Sequence, residues 1–196
     1  MRMLGYAYVV LALTIVAAAC ARDDAQSDSQ NAAMSADSPA AQHGAHGATE
    51  LSAADAQAVD SVRRIADQYR DLAAARAAGY STQYPEGCVQ TAEGSQGFHF
   101  INESLVDDRI DLSTPELVMY EPTADGSMEL IGVDYIIPFD RWTNAEPPQV
   151  LGRRLMRNEP LGVWALHIWT HRNNPSGMFA AYNPAASCDH AAAARM

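Results

Sequence analysis

The sequence predicts an α+β domain in which a long N-terminal amphipathic helix packs on a small, mostly antiparallel sheet, with one disulfide. Three observations lead to this prediction. Apolar residues recur at three- and four-residue steps between Ser52 and Gly79, as on a helix with one buried face. Beyond Gly79 the pattern changes to short β-branched and aromatic runs separated by Gly, Pro, Asn and Asp. Two cysteines, Cys88 and Cys188, flank most of that second region.

The N-terminus has the three parts of a bacterial secretion signal. Arg2 supplies a basic start, an apolar run covers residues 4–16, and three alanines stand directly before Cys20. The ending resembles a lipoprotein lipobox, with Ala17 where leucine is usual. We predict a signal peptide over residues 1–19, cleavage before Cys20 and a lipid on that cysteine. The alternative, a retained membrane helix, would need an apolar run of roughly 20 residues.

Residues 20–50 are predicted to be a disordered tether, because they contain almost no large apolar side chain. His43 and His46 within it could bind copper or zinc, and incidental composition is the alternative. Ala21 follows the lipidated cysteine, whereas an Asp there resembles an inner-membrane retention signal. We therefore expect a cell-envelope lipoprotein of the outer membrane that faces the periplasm. One globular domain is expected over residues 51–188, followed by a disordered tail over 189–196.

Charge and cysteine content narrow the classes of partner. The net charge is −11, and the 13 basic residues are all arginines scattered along the chain. This excludes a polybasic surface for nucleic acid, so the predicted membrane contact is the lipid on Cys20. Once Cys20 is lipidated, Cys88 and Cys188 can pair in an oxidising compartment. A bridge closing about 100 residues would contribute roughly 4–5 kcal/mol; two buried thiols are the alternative.

The predicted helix begins at Ser52, whose side chain can cap it, and ends at Gly79, where a left-handed residue is tolerated. Four strands are predicted over residues 97–101, 116–121, 128–137 and 163–170. The middle two form a hairpin, since residues 124–126 supply turn chemistry. Short helices are expected over 103–110 and 148–156, and a loop over 139–149.

Two histidines lie in predicted strands. His99 alternates with Phe98 and Phe100, so it lies on the opposite face of the sheet. His167 and His171 are four residues apart, which is about 13 Å on a strand, too far for both to bind one metal ion. On a helix they could share one, but the β-branched and aromatic content favours a strand.

His99 and His167 could meet across neighbouring strands, with Asn102 and a carboxylate such as Glu121 or Asp134 nearby. Two imidazoles and a carboxylate suit a divalent metal ion with an open coordination position. The chosen candidate ligands, for a metal ion or a small polar molecule, are His99, His167, Asn102 and Glu121. A metal-free acid–base pair and two hydrogen-bonded structural histidines are the alternatives. The sequence contains no nucleophile elbow and no phosphate-binding glycine loop.

Several short motifs between residues 79 and 188 occur in a fixed order. They are GFHFIN from Gly97 to Asn102, PELVMYE from Pro115 to Glu121, LHIW from Leu166 to Trp169, and a closing pattern of Asn173 or Asn174, Pro175, Gly177, Phe179, Asn183, Pro184 and Cys188. Together they resemble a group of uncharacterised exported bacterial proteins and lipoproteins. The resemblance implies no activity. It does imply that His99, Asn102 and His167, in the motif cores, are stronger site candidates than His171.

Three functions stay open at this point, and the sequence does not decide whether the protein is an enzyme. The first is a membrane-tethered domain that binds a metal ion or small polar ligand around His99 and His167. The second is a metal-dependent or histidine-based hydrolase or lyase, with Glu121 or Asp134 orienting a histidine. The third is a non-catalytic envelope interaction module.

Overall fold

The computed structural model describes residues 51–194. The predicted signal peptide, the lipidation site at Cys20 and the predicted tether lie outside the described residues. Within the described range, none of the helices is long and apolar enough to cross a bilayer.

The N-terminal part of the domain contains short helical segments. Helix α1 covers Ala53–Ala66, a 3-10 turn covers Asp67–Tyr69, and helix α2 covers Leu72–Ala77. The predicted cap is confirmed, because Ser52 Oγ accepts a hydrogen bond from the Asp55 backbone N–H at 3.1 Å. The predicted left-handed residue is also confirmed, since Gly79 has φ +105°.

The prediction of one long helix is wrong. Asp71 has extended backbone angles, and its side chain accepts a hydrogen bond from the Ala73 N–H at 2.9 Å, so it starts a second helix. The apolar periodicity continues across this break because both helices bury the same side. Val59 and Val62 of α1 and Leu72 of α2 belong to one core cluster.

The rest of the domain is mainly β-sheet. The strands are β1 (Thr82–Thr91), β2 (Gly94–Ile101), β3 (Leu117–Pro122), β4 (Met128–Pro138), β5 (Gln149–Val150), β6 (Arg153–Arg154), β7 (Met156–Asn158) and β8 (Val163–Ile168). Six of them form an antiparallel sheet in the order β1-β2-β3-β4-β8-β7, while β5 and β6 form a separate pair. The sheet is curved into a half-barrel. The α+β class built on a long helix is therefore corrected to a mostly antiparallel half-barrel with short helical segments.

The four predicted strands correspond to β2, β3, β4 and β8, and β3 and β4 form the predicted hairpin. Strand β1 was missed because Pro85 and Gly87 interrupt it and it lies at the sheet edge, where burial is partial. The predicted helix over 148–156 is wrong, since that segment contains β5, β6 and the start of β7. Of the predicted helix over 103–110, only a 3-10 turn at Glu103–Leu105 forms.

Both faces of the sheet are covered. The helix face carries Phe98, Phe100, Val118, Tyr120, Val133 and Tyr135, which share a core cluster with α1 and α2. The opposite face, called the site face below, carries His99, Leu117, Asp134, Ile136, Ala165 and His167. The predicted disulfide is confirmed: Cys88 on β1 and Cys188 form a bridge that spans 100 residues. Beyond it a 3-10 turn at Ala191–Ala193 contacts the helix-face core.

Candidate metal centre

Three strands each place one polar side chain in the middle of the site face. His99 lies on β2, Asp134 on β4 and His167 on β8. Each has at least one neighbour along its strand in the helix-face core cluster, namely Phe98 and Phe100, Val133 and Tyr135, and Ile168. The alternation of strand side chains therefore turns all three to the same side. Asp134 and His167 are direct partners in the β4–β8 register.

Curvature of the sheet brings the two histidines together. Strands β3 and β4 lie between β2 and β8, so in a flat sheet the backbones of His99 and His167 would be about 14 Å apart. The Nε2 atoms are nevertheless 3.3 Å apart, and the ring centroids are 5.4 Å apart. The sheet must therefore curve toward the site face. The histidines meet as predicted, but across three strand intervals instead of between neighbouring strands.

The third member of the cluster is Asp134. Its Oδ2 lies 3.4 Å from His167 Nε2, and one ligand atom from each of the three residues lies within 4.8 Å of the others. On the far side of its ring, His167 Nδ1 lies 2.9 Å from the Ala181 carbonyl oxygen. Because a carbonyl only accepts, Nδ1 carries the proton there. In neutral His167 the lone pair is then on Nε2, directed at the cluster.

Burial sets the protonation of the two imidazoles. His99 is 2% exposed and His167 4% exposed. Burial, together with the nearby His167, lowers the pKa of His99 to about 4, so His99 is neutral at neutral pH. Burial also lowers the pKa of His167, but the charge of Asp134, its hydrogen bond and the Ala181 carbonyl raise it, and the net direction is upward. The cluster thus contains a neutral imidazole, that of His99, and a second imidazole, that of His167, whose protonated form is stabilised by the carboxylate of Asp134.

Two buried polar atoms of the cluster lack a hydrogen-bond partner among the described residues. They are Asp134 Oδ1 and His99 Nδ1. A buried carboxylate oxygen without a donor costs free energy, which a cation at the cluster would offset. Asp134 Oδ1 is therefore a buried acceptor at the cluster that an ion could satisfy. His99 Nδ1 points away from the Nε2 atom that faces His167, so it does not bear on an ion there.

A cavity of about 390 Å³ adjoins the cluster and is lined by all three of its residues. Between Gln83 and Cys88, strand β1 bulges away from β2, and Tyr84 and Pro85 of this bulge line the cavity. The Tyr84 hydroxyl donates to the Leu161 carbonyl at 2.9 Å, which links β1 to the turn before β8. Since β1 and β8 lie near opposite ends of the sheet, this hydrogen bond bridges the half-barrel across the site face.

The other two predicted ligands lie elsewhere. Asn102 Oδ1 accepts from the Ser104 N–H, and its Nδ2 donates to the Ala78 carbonyl, so it holds the end of β2 against α2. Glu121 Oε1 accepts from the Ser187 N–H at 2.8 Å, and Oε2 lies 3.4 Å from Arg172 Nε. The physical reason is distance along a strand. Glu121 is four residues, about 13 Å, beyond Leu117, the β3 residue that pairs with Asp134.

Of the two carboxylates predicted as alternatives, Glu121 and Asp134, it is Asp134 that joins the cluster, and the sequence carries a signal for it. It is the one charged residue between Leu130 and Ile137, a run that is otherwise apolar and wholly buried. A charge in the centre of such a strand needs a partner. His171, as predicted, is not in the cluster, because its Nε2 lies 3.0 Å from Asp67 Oδ1.

Comparison of the chain with family models, curated proteins and solved structures gave no match. The resemblance to exported bacterial proteins therefore stays a prediction. What the fold and site define is a disulfide-closed half-barrel domain with a buried His99–Asp134–His167 cluster that could hold a metal ion.

Proposed function

We propose that this domain binds one divalent transition-metal ion, preferentially Zn²⁺, through His99 Nε2, His167 Nε2 and the carboxylate of Asp134. The observation that carries the proposal is the pair of distances within the cluster, 3.3 Å from imidazole to imidazole and 3.4 Å from imidazole to carboxylate. Tetrahedral Zn²⁺ with bonds of about 2.0–2.1 Å places neighbouring ligand atoms about 3.3–3.4 Å apart. One ligand atom from each of the three residues lies within 4.8 Å of the others, so small side-chain shifts would complete the site.

The surroundings of the cluster support the same proposal. Ala181 orients His167 in the way that a backbone carbonyl commonly orients a ligating histidine. The lowered pKa of His99 means that this ligand need not lose a proton to bind the ion at neutral pH. Asp134 supplies a negative charge that compensates part of the charge of the ion. In a metal-free acid–base pair, His99 would be a weak base because its pKa is about 4, and only His167, whose pKa is raised, could serve as the base.

Metal stoichiometry of the full chain tests the proposal. The background is the variant Cys20→Ser, His43→Ala, His46→Ala, which removes three potential ligands outside the described residues. We expect one Co²⁺ or Zn²⁺ per chain and, for Co²⁺, the intense visible absorption of a tetrahedral site. Asp134→Asn should weaken binding by about 100-fold or more, since loss of a supporting partner alone costs about 10–100-fold.

Two matched substitutions show whether the effect is specific. His99→Gln removes a proposed ligand, whereas His171→Gln removes a buried histidine that pairs with Asp67 outside the cluster. The first should abolish the Co²⁺ absorption band and the second should retain it, with circular dichroism confirming that both variants are folded. Absence of any bound ion in the background protein would overturn the proposal, and so would equal binding by the two variants.

We also propose that the domain is held in the cell envelope by a lipid on Cys20. The signal-like N-terminus supports this location, and the Cys88–Cys188 bridge is compatible with it. Cells expressing the full chain and fed radiolabelled palmitate should label the wild type but not Cys20→Ser. Equal labelling of both proteins, or of neither, would count against the anchor.

A further inference from the structure

The cavity beside the cluster has the size and lining of a small-molecule site. Its volume of about 390 Å³ falls within the range of about 300–1,000 Å³ for ligand pockets. The cluster forms one polar part of its wall, and Gln96, Arg157, Asn158 and Glu159 also line it. Much of the remaining wall is apolar and is contributed by Leu117, Ile136, Met156, Leu161, Val163 and Ala165.

We infer that this cavity binds a small organic monoanion, a carboxylate with an apolar body, whose carboxylate takes the open coordination position of the metal ion. The inference rests on the proposed function, because the ion supplies the attachment point. It goes beyond that function by naming the class of ligand.

Charge balance selects a monoanion. A divalent ion bound by two neutral imidazoles and one carboxylate leaves a net charge of +1 in a buried site. The other charged side chains lining the cavity are Arg157 and Glu159, which form an ion pair with each other and so add no net charge. A buried unbalanced charge is unfavourable, and one carboxylate would neutralise it.

The geometry leaves a position for that carboxylate. His99, His167 and Asp134 supply three ligands, whereas tetrahedral Zn²⁺ takes four. All three residues line the cavity, so the fourth direction is accessible from it. Asp134 Oδ1, which lacks a partner among the described residues, is buried in this same cluster.

The apolar walls select the body of the ligand. Met156 lies at the cavity on the edge strand β7, pairs with Ala165 in the sheet register, and is 39% exposed. Among the described residues it is the one large apolar side chain that is exposed to this degree. An apolar body in the cavity would cover it and remove apolar surface from water.

The bridge between Tyr84 and Leu161 limits the length of the ligand. Both residues also line a second apolar groove, which includes Val106 and Phe139, so the bridge stands between the two spaces. A compact body, such as an aromatic ring, therefore fits the cavity better than a long chain.

Three small molecules that differ in charge or in apolar body test the inference on the Co²⁺-loaded full chain. Benzoate has the charge and the apolar body, benzamide has the body without the charge, and acetate has the charge without the body. Binding is followed by the change in the visible absorption of Co²⁺. We expect benzoate to bind about tenfold or more tightly than either of the others, a difference of about 1.4 kcal/mol or more.

The relative affinities of the three probes decide which part of the inference fails. Equal binding of benzamide and benzoate would overturn the charge argument, and equal binding of acetate would overturn the apolar body. An unchanged spectrum with all three probes would overturn the inference while leaving the metal site intact. Failure to bind Co²⁺ at all would overturn the proposed function, and the inference with it.

Variants of the cavity wall add a second line of support. Ala165→Phe fills the cavity and should abolish benzoate binding. Met156→Ser, at an exposed position on an edge strand, should weaken it about three- to tenfold by removing apolar contact. Met128→Ser changes a partly exposed methionine outside the cavity and should leave benzoate affinity unaltered. Benzoate affinities are compared only in samples with the full Co²⁺ band, and no loss in either cavity variant would refute the location.

Discussion

Removing the Cys88–Cys188 bridge should destabilise the domain strongly. The bridge closes 100 residues, and in the chain-entropy model a loop of that size contributes about 4.7 kcal/mol by restricting the unfolded chain. For a domain of about 140 described residues, the entropy of unfolding is about 0.3 kcal/mol/K, so the melting temperature should fall by about 15 °C.

Apart from the contact of Ser95 Oγ with Cys188 Sγ at 3.3 Å, the hydrogen bonds of the described residues near the bridge do not involve its sulfur atoms, so the measured loss mainly tests the entropic reasoning. The Cys188 N–H donates to Gln90 Oε1 at 2.6 Å, and Ser95 and Asn183 exchange two backbone hydrogen bonds. These interactions can persist in the Cys88→Ala, Cys188→Ala variant. Urea unfolding followed by tryptophan fluorescence measures the loss, and wild type under dithiothreitol is the control. A loss below about 1 kcal/mol would show that the unfolded chain is already restricted by other means.

Two further predictions concern buried positions outside the cluster. Glu116 is 2% exposed, and burial raises its pKa to about 8. The folded protein then keeps a proton that the unfolded chain releases near pH 4.5, so stability falls as pH rises between these values, by about 1.4 kcal/mol per unit at most. Glu116→Gln keeps an acceptor for the Ile136 N–H. In urea unfolding this variant should be more stable than wild type at pH 8 and equally stable at pH 4. An equal gain in stability at both pH values would contradict the raised pKa of Glu116. Gly97→Ala should cost about 2–3 kcal/mol and weaken Co²⁺ binding, because Gly97 has φ +74° and an added Cβ would lie 2.2 Å from the Tyr120 carbonyl oxygen. Gly87→Ala is the matched control, with φ +85° and nothing within 4 Å of the Cβ, so it should cost only the backbone strain of about 1–2 kcal/mol; equal losses would exclude the steric explanation.

Local patterns in the sequence predicted much of the sheet. The β3–β4 hairpin follows from alternating apolar residues and a turn at Gly126, which has the positive φ that such a turn needs. Alternation around His99 also assigns its side chain to the face opposite Phe98 and Phe100. These features depend on neighbours within a few residues, which is the range over which sequence patterns are informative.

Features that depend on distant parts of the chain could not be predicted in the same way. The break before α2 is an exception, because it is local: the Asp71 side chain caps a new helix, but the unbroken apolar periodicity hides the break in the sequence. The choice of Asp134 over Glu121 depends on the β3–β4 register, and the contact between His99 and His167 depends on the curvature of the sheet. The spacing of residues along one strand predicts neither the register between strands nor the curvature of the sheet.

The way in which Ala181 supports His167 has a consequence for when the ion can be acquired. The proposed ligands at positions 99, 134 and 167 and the supporting carbonyl at position 181 are spread over most of the domain. A growing or translocating chain therefore lacks the supported site until almost the last residue of the domain has emerged. Under the proposed function, loading is then a late event, after the half-barrel has closed. The ion would come from the pool of whichever compartment the chain finishes folding in, independently of where its synthesis began.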